Sequence, residues 1–464
     1  MKKIISLILM MAMLVGTVLS TASCSGLASL IGELIPDSEG NSGNDNGGAD
    51  TPGLPDTDEG GRDDGNDTGS GDTGNDDGDD PIGSGDDGEQ SSGSVSDGFL
   101  PDRDETQNAA DDLVGKTRTL FSTVTIITKF EVSYGSIYGG SQTSTDTSAG
   151  AGVIYKLDKE SGSAYIITNY HVVYNANAVS ANGISNDIKL YLYGQEYSDY
   201  AITATYLGGA MNYDIAILKV ENSDIIKNSP VVAAALGDSE KVRVFDEVYA
   251  VGNPEAFGMA VTEGIISVES ESLSMTSADG RTAVKFRVMR ISAAINSGNS
   301  GGGLYDTEGR LIGIVNAKRQ GSDIDNIAYA IPVNLAVALA DNIIYHCDGL
   351  LKTSVYRCKL GVSIKADSTG AVIDPTTGTA TIVEVVKVEE LEENSTVTDL
   401  ILVGDIITAI TVDGVRHTVT RTHHVIDNML TARVGSTVTL TVTRGSSSLD
   451  VTVTVPESAQ SAVR

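Results

Sequence analysis

Short apolar runs recur along the middle of the chain, from about residue 112 to about residue 340, with turn-forming residues between them. In some runs apolar and polar residues alternate, and others are continuously apolar and rich in β-branched residues. Short strands at this spacing, without helices between them, are typical of a β-barrel or a β-sandwich. The runs include TVTIITKFEV, GAGVIYKL, AYIITNYHVV, DIAILKV, EVYAVG, KFRVMRI and LIGIV. One helix is predicted after Pro332, in VNLAVALADNIIYH.

A second group of strand-like segments runs from about residue 355 to about residue 455, with one helix predicted near HHVIDNMLTARV. Its length of about a hundred residues fits one small α+β domain. His423 and His424 adjoin that helix, where they either face a ligand or lie at a solvated helix end; the second arrangement is the one predicted. The segments are GVSI, TATIVEVV, GDIITAITV, TVTLTVTR and DVTVTV.

The region before these domains, residues 24–111, is dominated by Gly, Asp, Asn, Ser and Thr. Between Asp37 and Glu105 there are 22 acidic residues and two basic ones, so about −20 of the net charge of −32 lies here. The region has too little apolar surface to offset the entropy of ordering, and we predict a disordered tether. The acidity also excludes nucleic acid as a partner, because no basic stripe exists to neutralise phosphates.

The N-terminus predicts export. Residues 1–23 combine two lysines, an apolar run from Ile4 to Leu19 and small residues that end at Cys24, which is the layout of a signal peptide. The stretch STASC resembles a bacterial lipobox, in which the cysteine after the cleavage site is lipid-modified. The resemblance implies a lipoprotein of the bacterial cell membrane, on its outer face; ordinary cleavage and release to the periplasm is the alternative.

The chain contains three cysteines. If Cys24 carries lipid, Cys347 and Cys358 remain as a pair in an exported protein, where disulfides form. They are predicted either to form a disulfide or to remain two reduced, buried thiols. No Cys/His spacing fits a zinc site and no stretch has the spacing of an EF-hand, so neither a metal nor a cofactor is predicted.

The loop NSGNSGGG, residues 296–303, lies between two strand-like runs, which distinguishes it from a flexible linker. Glycine accepts positive φ at little cost, so a glycine-dense loop between strands indicates unusual backbone geometry. Two further polar residues lie near predicted strand ends: His171 follows AYIITNY, and Asp214 opens DIAILKV. Serine needs an imidazole to accept its proton and a carboxylate to orient that imidazole, so His171, Asp214 and Ser300 are a candidate triad.

Six short motifs, in this order, resemble the HtrA (DegP-like) family of trypsin-like serine proteases. They are TNYHV at 168–172, DIAILK at 214–219, GNP at 252–254, GIIS at 264–267, NSGNSGG at 296–302 and YAIP at 329–332. The resemblance implies a mainly β fold: a chymotrypsin-like double β-barrel over residues 112–345, followed by one α+β PDZ domain over residues 355–456.

Residue by residue, the resemblance makes Ser300 the nucleophile, His171 the general base and then acid, and Asp214 the residue that orients His171. It also implies an oxyanion hole formed by the backbone N–H groups of Gly298 and Ser300, with Asn299 shaping the turn between them. Ser297 is a rival nucleophile, but the register of the motif favours Ser300.

The segment KLGVSI resembles the carboxylate-binding loop and first strand of a PDZ domain. Such domains bind a peptide C-terminus as an added strand. The resemblance therefore implies a groove edge formed by Leu360, Gly361, Val362, Ser363 and Ile364.

The expected function is that of an exported serine endopeptidase, which cleaves unfolded extracytoplasmic proteins and is regulated by peptides at the PDZ domain. The resemblance also implies a homotrimer or larger assembly. A chaperone or peptide-binding protein on an inactive protease scaffold is one alternative, and a dedicated processing protease is another. An adhesin would explain the acidic tether but not the triad.

Overall fold

The computed structural model of the protein describes residues 115–135, 141–195, 199–254, 258–316, 327–347 and 355–463. The described residues all belong to one compact unit, Gln90–Arg464. The predicted signal peptide, the predicted lipid modification at Cys24 and the predicted tether over residues 24–111 lie outside the described residues. No helix in the described ranges combines the length and the apolar character that crossing a membrane requires.

Six strands close into a first barrel, in the order β1-β2-β3-β6-β5-β4. They are β1 Thr123–Gly135, β2 Ser141–Asp158, β3 Ser163–Thr168, β4 Asp187–Tyr191, β5 Ile202–Ala210 and β6 Ile215–Val220. Every neighbouring pair is antiparallel. Burial alternates along β4, as expected for a strand with one face in the core. Ile126, Ile166 and Leu218 fill this core and are almost fully buried.

Six further strands close into a second barrel, in the order β10-β11-β12-β9-β8-β7. They are β7 Glu247–Gly252, β8 Ala260–Thr276, β9 Ala283–Ile291, β10 Gly303–Tyr305, β11 Leu311–Asn316 and β12 Ala328–Pro332. All residues of β11 are buried, which its continuously apolar sequence LIGIV predicts. The predicted double barrel is therefore confirmed.

Helices cover and connect the barrels. They are α1 Gly115–Ser122, α2 Tyr170–Val173, α3 Asp224–Lys227 and α4 Val333–Cys347, with a 3-10 turn at Met211–Tyr213. The predicted helix after Pro332 is α4. Its buried residues Leu335, Leu339 and Ile343 pack with Ile217 of the first barrel and Ile331 of the second, so one apolar core joins both barrels to this helix.

The C-terminal domain is a sheet with the strand order β14-β15-β16-β18-β19, with β17 paired to β16 and one helix against the sheet. Its elements are β13 Val355–Cys358, β14 Val362–Ile373, β15 Ala380–Leu391, β16 Ile406–Val412, β17 Val415–Thr418, α5 Thr422–Asn428, β18 Thr437–Arg444, β19 Ser447–Thr454, a 3-10 turn at Glu457–Ala459 and β20 Gln460–Val463. β20 follows the predicted domain end at residue 456 and pairs with β13.

Candidate active site

His171 and Asp214 meet at one end of the first barrel. The sequence run AYIITNYHVV is not one strand: β3 ends at Thr168, and His171 lies on the single helical turn α2. Asp214 follows the 3-10 turn with a left-handed φ of 56°. His171 Nδ1 lies 2.7 Å from Asp214 Oδ2, and the His171 backbone N–H donates to Asp214 Oδ1 at 3.0 Å.

Burial and two hydrogen bonds to its backbone carbonyl hold Asp214 in place. Asp214 is 5% exposed, and its backbone carbonyl accepts from the Tyr170 N–H at 3.1 Å and from Asn169 Nδ2 at 2.9 Å. A carboxylate at Nδ1 holds the ring proton of a neutral imidazole on that nitrogen, which leaves Nε2 of His171 to accept a proton.

The glycine loop is held against the first barrel beside this pair. The Ala151 N–H of β2 donates to the Ser300 carbonyl at 2.8 Å, and the Ala151 carbonyl accepts from Thr168 Oγ1 at 2.7 Å. A Cβ at Gly301 would lie within 3.0 Å of Ala151 and Thr168, so the chain after Ser300 packs directly on the strand end that precedes α2. The structure therefore brings the loops of all three predicted triad residues together.

The glycine loop contains the positive-φ backbone that its sequence predicts. Gly298 has φ 96° and is buried. Its carbonyl accepts from the Asn253 N–H at 3.3 Å, and within the described ranges its own N–H donates to no backbone carbonyl. Asn299 is 4% exposed, and its N–H closes a turn to the Asn296 carbonyl at 3.1 Å. Ser297 is exposed, unlike Ser300, which is 4% exposed.

Asn316 is a site residue that the sequence analysis missed. It ends β11 of the second barrel, is 2% exposed, and donates from Nδ2 to Asp214 Oδ2 at 3.0 Å. A single asparagine at the end of an apolar strand has no distinguishing pattern. Only the closed barrels place it beside a carboxylate that lies 102 residues away in sequence.

The predicted groove edge, residues 360–364, leads into an edge strand. β14 pairs with β15 and, in the described part of the chain, with no other strand, while α5 packs nearby. Leu360 is buried in the domain core, and Gly361 turns the chain at φ 72°. The outer edge of β14, which includes Ser363 and Ile364, is thus the part of this segment to which another strand can be added.

Of the two states predicted for Cys347 and Cys358, the disulfide is wrong and the pair of reduced, buried thiols is confirmed. Both thiols are free and buried. Cys347 ends α4 and packs toward Gly208 of the first barrel, whereas Cys358 Sγ donates to the Ala432 carbonyl at 3.5 Å within the C-terminal domain. The two side chains therefore belong to different cores, and burial raises the pKa of each thiol, that of Cys347 to about 11.

His423 and His424 lie against the barrels, so their predicted place at a solvated helix end is wrong. Their side chains are 14% and 15% exposed, and their Nε2 atoms lie 3.5 and 2.8 Å from Glu240 Oε2. Arg287, from β9, pairs with Glu240 at 3.1 Å and with Asp427 of α5 at 2.6 Å. These five residues form the interdomain cluster, which joins the C-terminal domain to the barrels.

Glu240, His423 and His424 of the interdomain cluster have side chains of the types that bind zinc. Their ligand atoms lie within 4.8 Å of one another. The ring of His424, however, accepts the Thr420 N–H at Nδ1, at 3.2 Å. A ring nitrogen that accepts a hydrogen bond carries no proton, so the proton of His424 lies on Nε2 and points at Glu240. In this arrangement His424 is a hydrogen-bond donor to Glu240 and not a metal ligand.

We expect acid to weaken the interdomain cluster. His423 faces Glu240, His424, Arg287 and Asp427; burial lowers its pKa below the ordinary 6.5, and Arg287 lowers it further, against the hydrogen bond to Glu240. A group whose pKa is lowered by folding stabilises the fold fully above its ordinary pKa and less as pH falls below it. The free energy of urea unfolding should therefore decrease between pH 7.5 and pH 5.5.

The Glu240 carboxylate affects the free energy of unfolding at a lower pH than His423 does. Burial raises its pKa, but the hydrogen bonds from His423 and His424 and the charge of Arg287 outweigh burial and hold the pKa well below its usual range. His423→Gln should flatten the decrease between pH 7.5 and pH 5.5, whereas His417→Gln, at an exposed histidine, should retain it. An equally steep decrease in both variants would contradict this assignment.

Comparisons with known proteins agree with this architecture. A family model described as a trypsin-like peptidase domain matches residues 150–314, and a PDZ domain model matches residues 358–455. The chain is 33% identical over 233 residues to Serine protease Do-like HtrA of Bacillus subtilis (strain 168), covering 50% of this chain and 46% of that protein. It is 35% identical over 224 residues to Serine protease Do-like HtrA of Lactococcus lactis subsp. cremoris, covering 45% of this chain and 50% of that protein.

The chain thus spans about half the length of these curated relatives. Among solved structures, the HtrA-type protease AlgW with tripeptide is 25% identical, with a TM-score of 0.45, and the match covers 76% of this chain and 96% of that one.

Proposed function

We propose that this chain, which belongs to the HtrA family of serine proteases, is an endopeptidase that uses Ser300, His171 and Asp214 to hydrolyse peptide bonds. One observation carries the proposal: a buried carboxylate holds His171 at Nδ1, 2.7 Å away, beside the loop that presents Ser300. A chaperone on an inactive scaffold would have no use for a histidine and a buried carboxylate paired beside a serine loop, so this arrangement argues against that alternative.

In the proposed reaction His171 Nε2 accepts the proton of Ser300 Oγ while that oxygen attacks the substrate carbonyl. Asp214 stabilises the imidazolium that forms, and the N–H groups of Gly298 and Ser300 bind the negative oxygen of the tetrahedral intermediate. His171 then donates its proton to the leaving amine. Water, activated by the same imidazole, hydrolyses the acyl-enzyme and restores Ser300.

We propose unfolded extracytoplasmic proteins as the substrates. Two features support this: the match to Do-like serine proteases, and a C-terminal domain whose edge strand β14 can add a further extended peptide. A peptide C-terminus at β14 would then act as a regulator. A homotrimer is proposed from family membership alone, and the mass in solution tests it.

The substrate class is tested with unfolded casein and a native folded protein at equal concentration. We expect the wild-type protein to cleave casein at many positions and to leave the folded protein intact. Peptide-profile proteomics of secreted proteins, wild type against a nucleophile variant, separates this activity from that of a processing protease. A single cleaved protein with one cut site would contradict the broad substrate class.

Export and lipid anchoring are proposed from the N-terminal sequence, in which lysines and an apolar run precede Cys24. Multiple acyl chains hold a protein at a membrane, since each buried CH₂ contributes about 0.8 kcal/mol. We expect Cys24→Ala to move the protein from the membrane fraction to the soluble extracytoplasmic fraction. Unchanged membrane association of this variant would contradict a lipid anchor at this position.

A further inference from the structure

Strand β14, the edge strand of the C-terminal domain, extends past the helix that lies beside it. The strand spans Val362–Ile373. Thr422, the first residue of α5, donates its N–H to Glu384 Oε2 at 2.7 Å, and Glu384 pairs with Thr369 of β14. Helix α5 therefore begins near Thr369, and residues 370–373 continue the strand beyond it. All four of these residues are exposed.

A β-bulge decides which side chains of this extension face the domain core. Asp367 is the extra residue, because Ala366 pairs with Val386 of β15 and the next pair begins at Ser368. One extra residue shifts the alternation of side chains by one position. Val386 is buried in the core of the domain. The core side of the strand therefore continues at every second residue from 369 to 373.

The core side of the hairpin end is apolar and open to solvent. Four apolar residues occupy it, in two cross-strand pairs, and all four are exposed: Ala371 with Ile382, and Ile373 with Ala380. We call these four residues the distal patch. Ile373 is 67% exposed and Ile382 is 37% exposed. At the other end of β14, Val362 and Ile364 pack against the domain core. One apolar face thus follows β14 from a buried end to an open end.

The backbone of the extension is also open to a further strand. Within the described residues β14 pairs with β15 alone, so its outer edge has N–H and C=O groups to offer along its whole length. An added antiparallel strand advances residue for residue with its neighbour. A peptide whose C-terminus lies beside Gly361 therefore has its residue about ten positions from the end opposite Ile373.

We propose that the distal patch is a second subsite of the peptide groove, and that it binds the upstream part of an unfolded C-terminal segment. The segment carries an apolar residue about ten positions from its end. This inference rests on the proposed peptide-binding role of β14 and extends that role to a longer ligand. Continuity supports this occupant over a second copy of the chain, because the patch shares its strand and its apolar face with the groove. A folded protein keeps so long a segment paired within its own structure, so the subsite favours unfolded chains.

Fluorescence anisotropy measures the binding, with the full-length Ser300→Ala protein so that the peptides stay intact. The probe is a labelled 14-residue peptide of serine, threonine and lysine, with valine at its last three positions and at the ninth to eleventh positions from its end. One comparison peptide has serine at the three upstream positions, and another consists of the last five residues alone. We expect the probe to bind about tenfold more tightly than either, because it buries aliphatic side chains at the distal patch.

Two neighbouring substitutions in the same protein locate the subsite. Ile373→Ser should abolish the tenfold gain and leave the affinity of the five-residue peptide unchanged. Val372→Ser is the matched control and should retain the gain, because Val372 is 52% exposed and lies on the opposite side of the same strand. Thermal unfolding checks that both variants fold. Amidation of the C-terminus should weaken binding of the probe, because the groove end of β14 binds a carboxylate.

Four results would overturn the inference. They are equal affinities of the probe and its serine counterpart, equal losses in Ile373→Ser and Val372→Ser, full affinity of the amidated probe, and a lower mass in solution of Ile373→Ser. The last would show that the patch joins two copies of the chain.

Hydrolysis of casein by the wild type, measured in parallel, separates this inference from the proposed function. If casein is cleaved and none of the peptides binds, the peptide-binding role and this inference fail, while the endopeptidase assignment stands. If casein is not cleaved and the peptides bind as expected, the endopeptidase assignment fails and the distal subsite stands.

Discussion

Ser300→Ala should abolish the hydrolysis of unfolded casein, with a fall in kcat of about a millionfold. The substitution removes the only atom that the proposed mechanism allows to attack the carbonyl, while His171 and Asp214 remain in place. Binding of casein should be unaffected, because the loss of one hydroxyl from a side chain that is 4% exposed alters little of the surface. Fluorescent casein reports the hydrolysis, and anisotropy of the same substrate reports binding.

Ser297→Ala is the control within the same loop. Ser297 is exposed and lies three residues before Ser300, so its hydroxyl should be dispensable, and the variant should cleave casein at the wild-type rate. Loss of activity in Ser297→Ala with activity retained in Ser300→Ala would reverse the assignment of the nucleophile.

Gly301→Ala should lower kcat by about a hundredfold or more and destabilise the protein, although the substitution adds one methyl group. Gly301 has φ 84°, and a Cβ there would lie within 3.0 Å of the Ala151 carbonyl and Thr168 Oγ1. The Ala151 backbone cannot yield without disturbing its hydrogen bond to Ser300. The nucleophile must therefore shift, and a displacement of about 1 Å can reduce the rate about a hundredfold.

Gly280→Ala separates crowding from backbone strain. Gly280 has φ 69°, similar to that of Gly301, but a Cβ there would meet no atom within 4 Å. This variant should show only the cost of a left-handed alanine, about 1 kcal/mol, with unchanged kcat. Thermal unfolding and peptide hydrolysis of both variants measure the difference, and equal effects at the two glycines would contradict the packing account.

Much of the fold could be predicted from local patterns. The runs in β3, β6, β9 and β11 are apolar and β-branched because each strand is largely buried, and α4 follows Pro332 as expected. His171, Asp214 and Ser300 could be selected as a candidate triad because a serine nucleophile needs an imidazole and a carboxylate, and the structure brings their three segments together. Each lies beside a strand, and the glycines around Ser300 mark the backbone geometry.

The features that sequence reasoning missed depend on contacts between distant segments. Asn316 meets Asp214 only after both barrels close, and no local pattern indicates this. His423 and His424 are polar residues of a kind that suits a solvated helix end. They are shielded from solvent because Glu240, from the barrels, lies against them. The spacing of Cys347 and Cys358 allowed a short disulfide loop, but α4 and β13 direct the two side chains into separate cores.

Labelling with a fluorophosphonate probe, with the adduct mapped by mass spectrometry, tests whether Ser300 is an activated nucleophile beside an oxyanion hole. The probe reacts only where an activated hydroxyl and donors for a negative oxygen lie together, so it reports both parts of the site at once. We expect one adduct, on Ser300, that disappears in His171→Ala. No adduct on the folded wild-type protein, or an adduct on another residue, would contradict it.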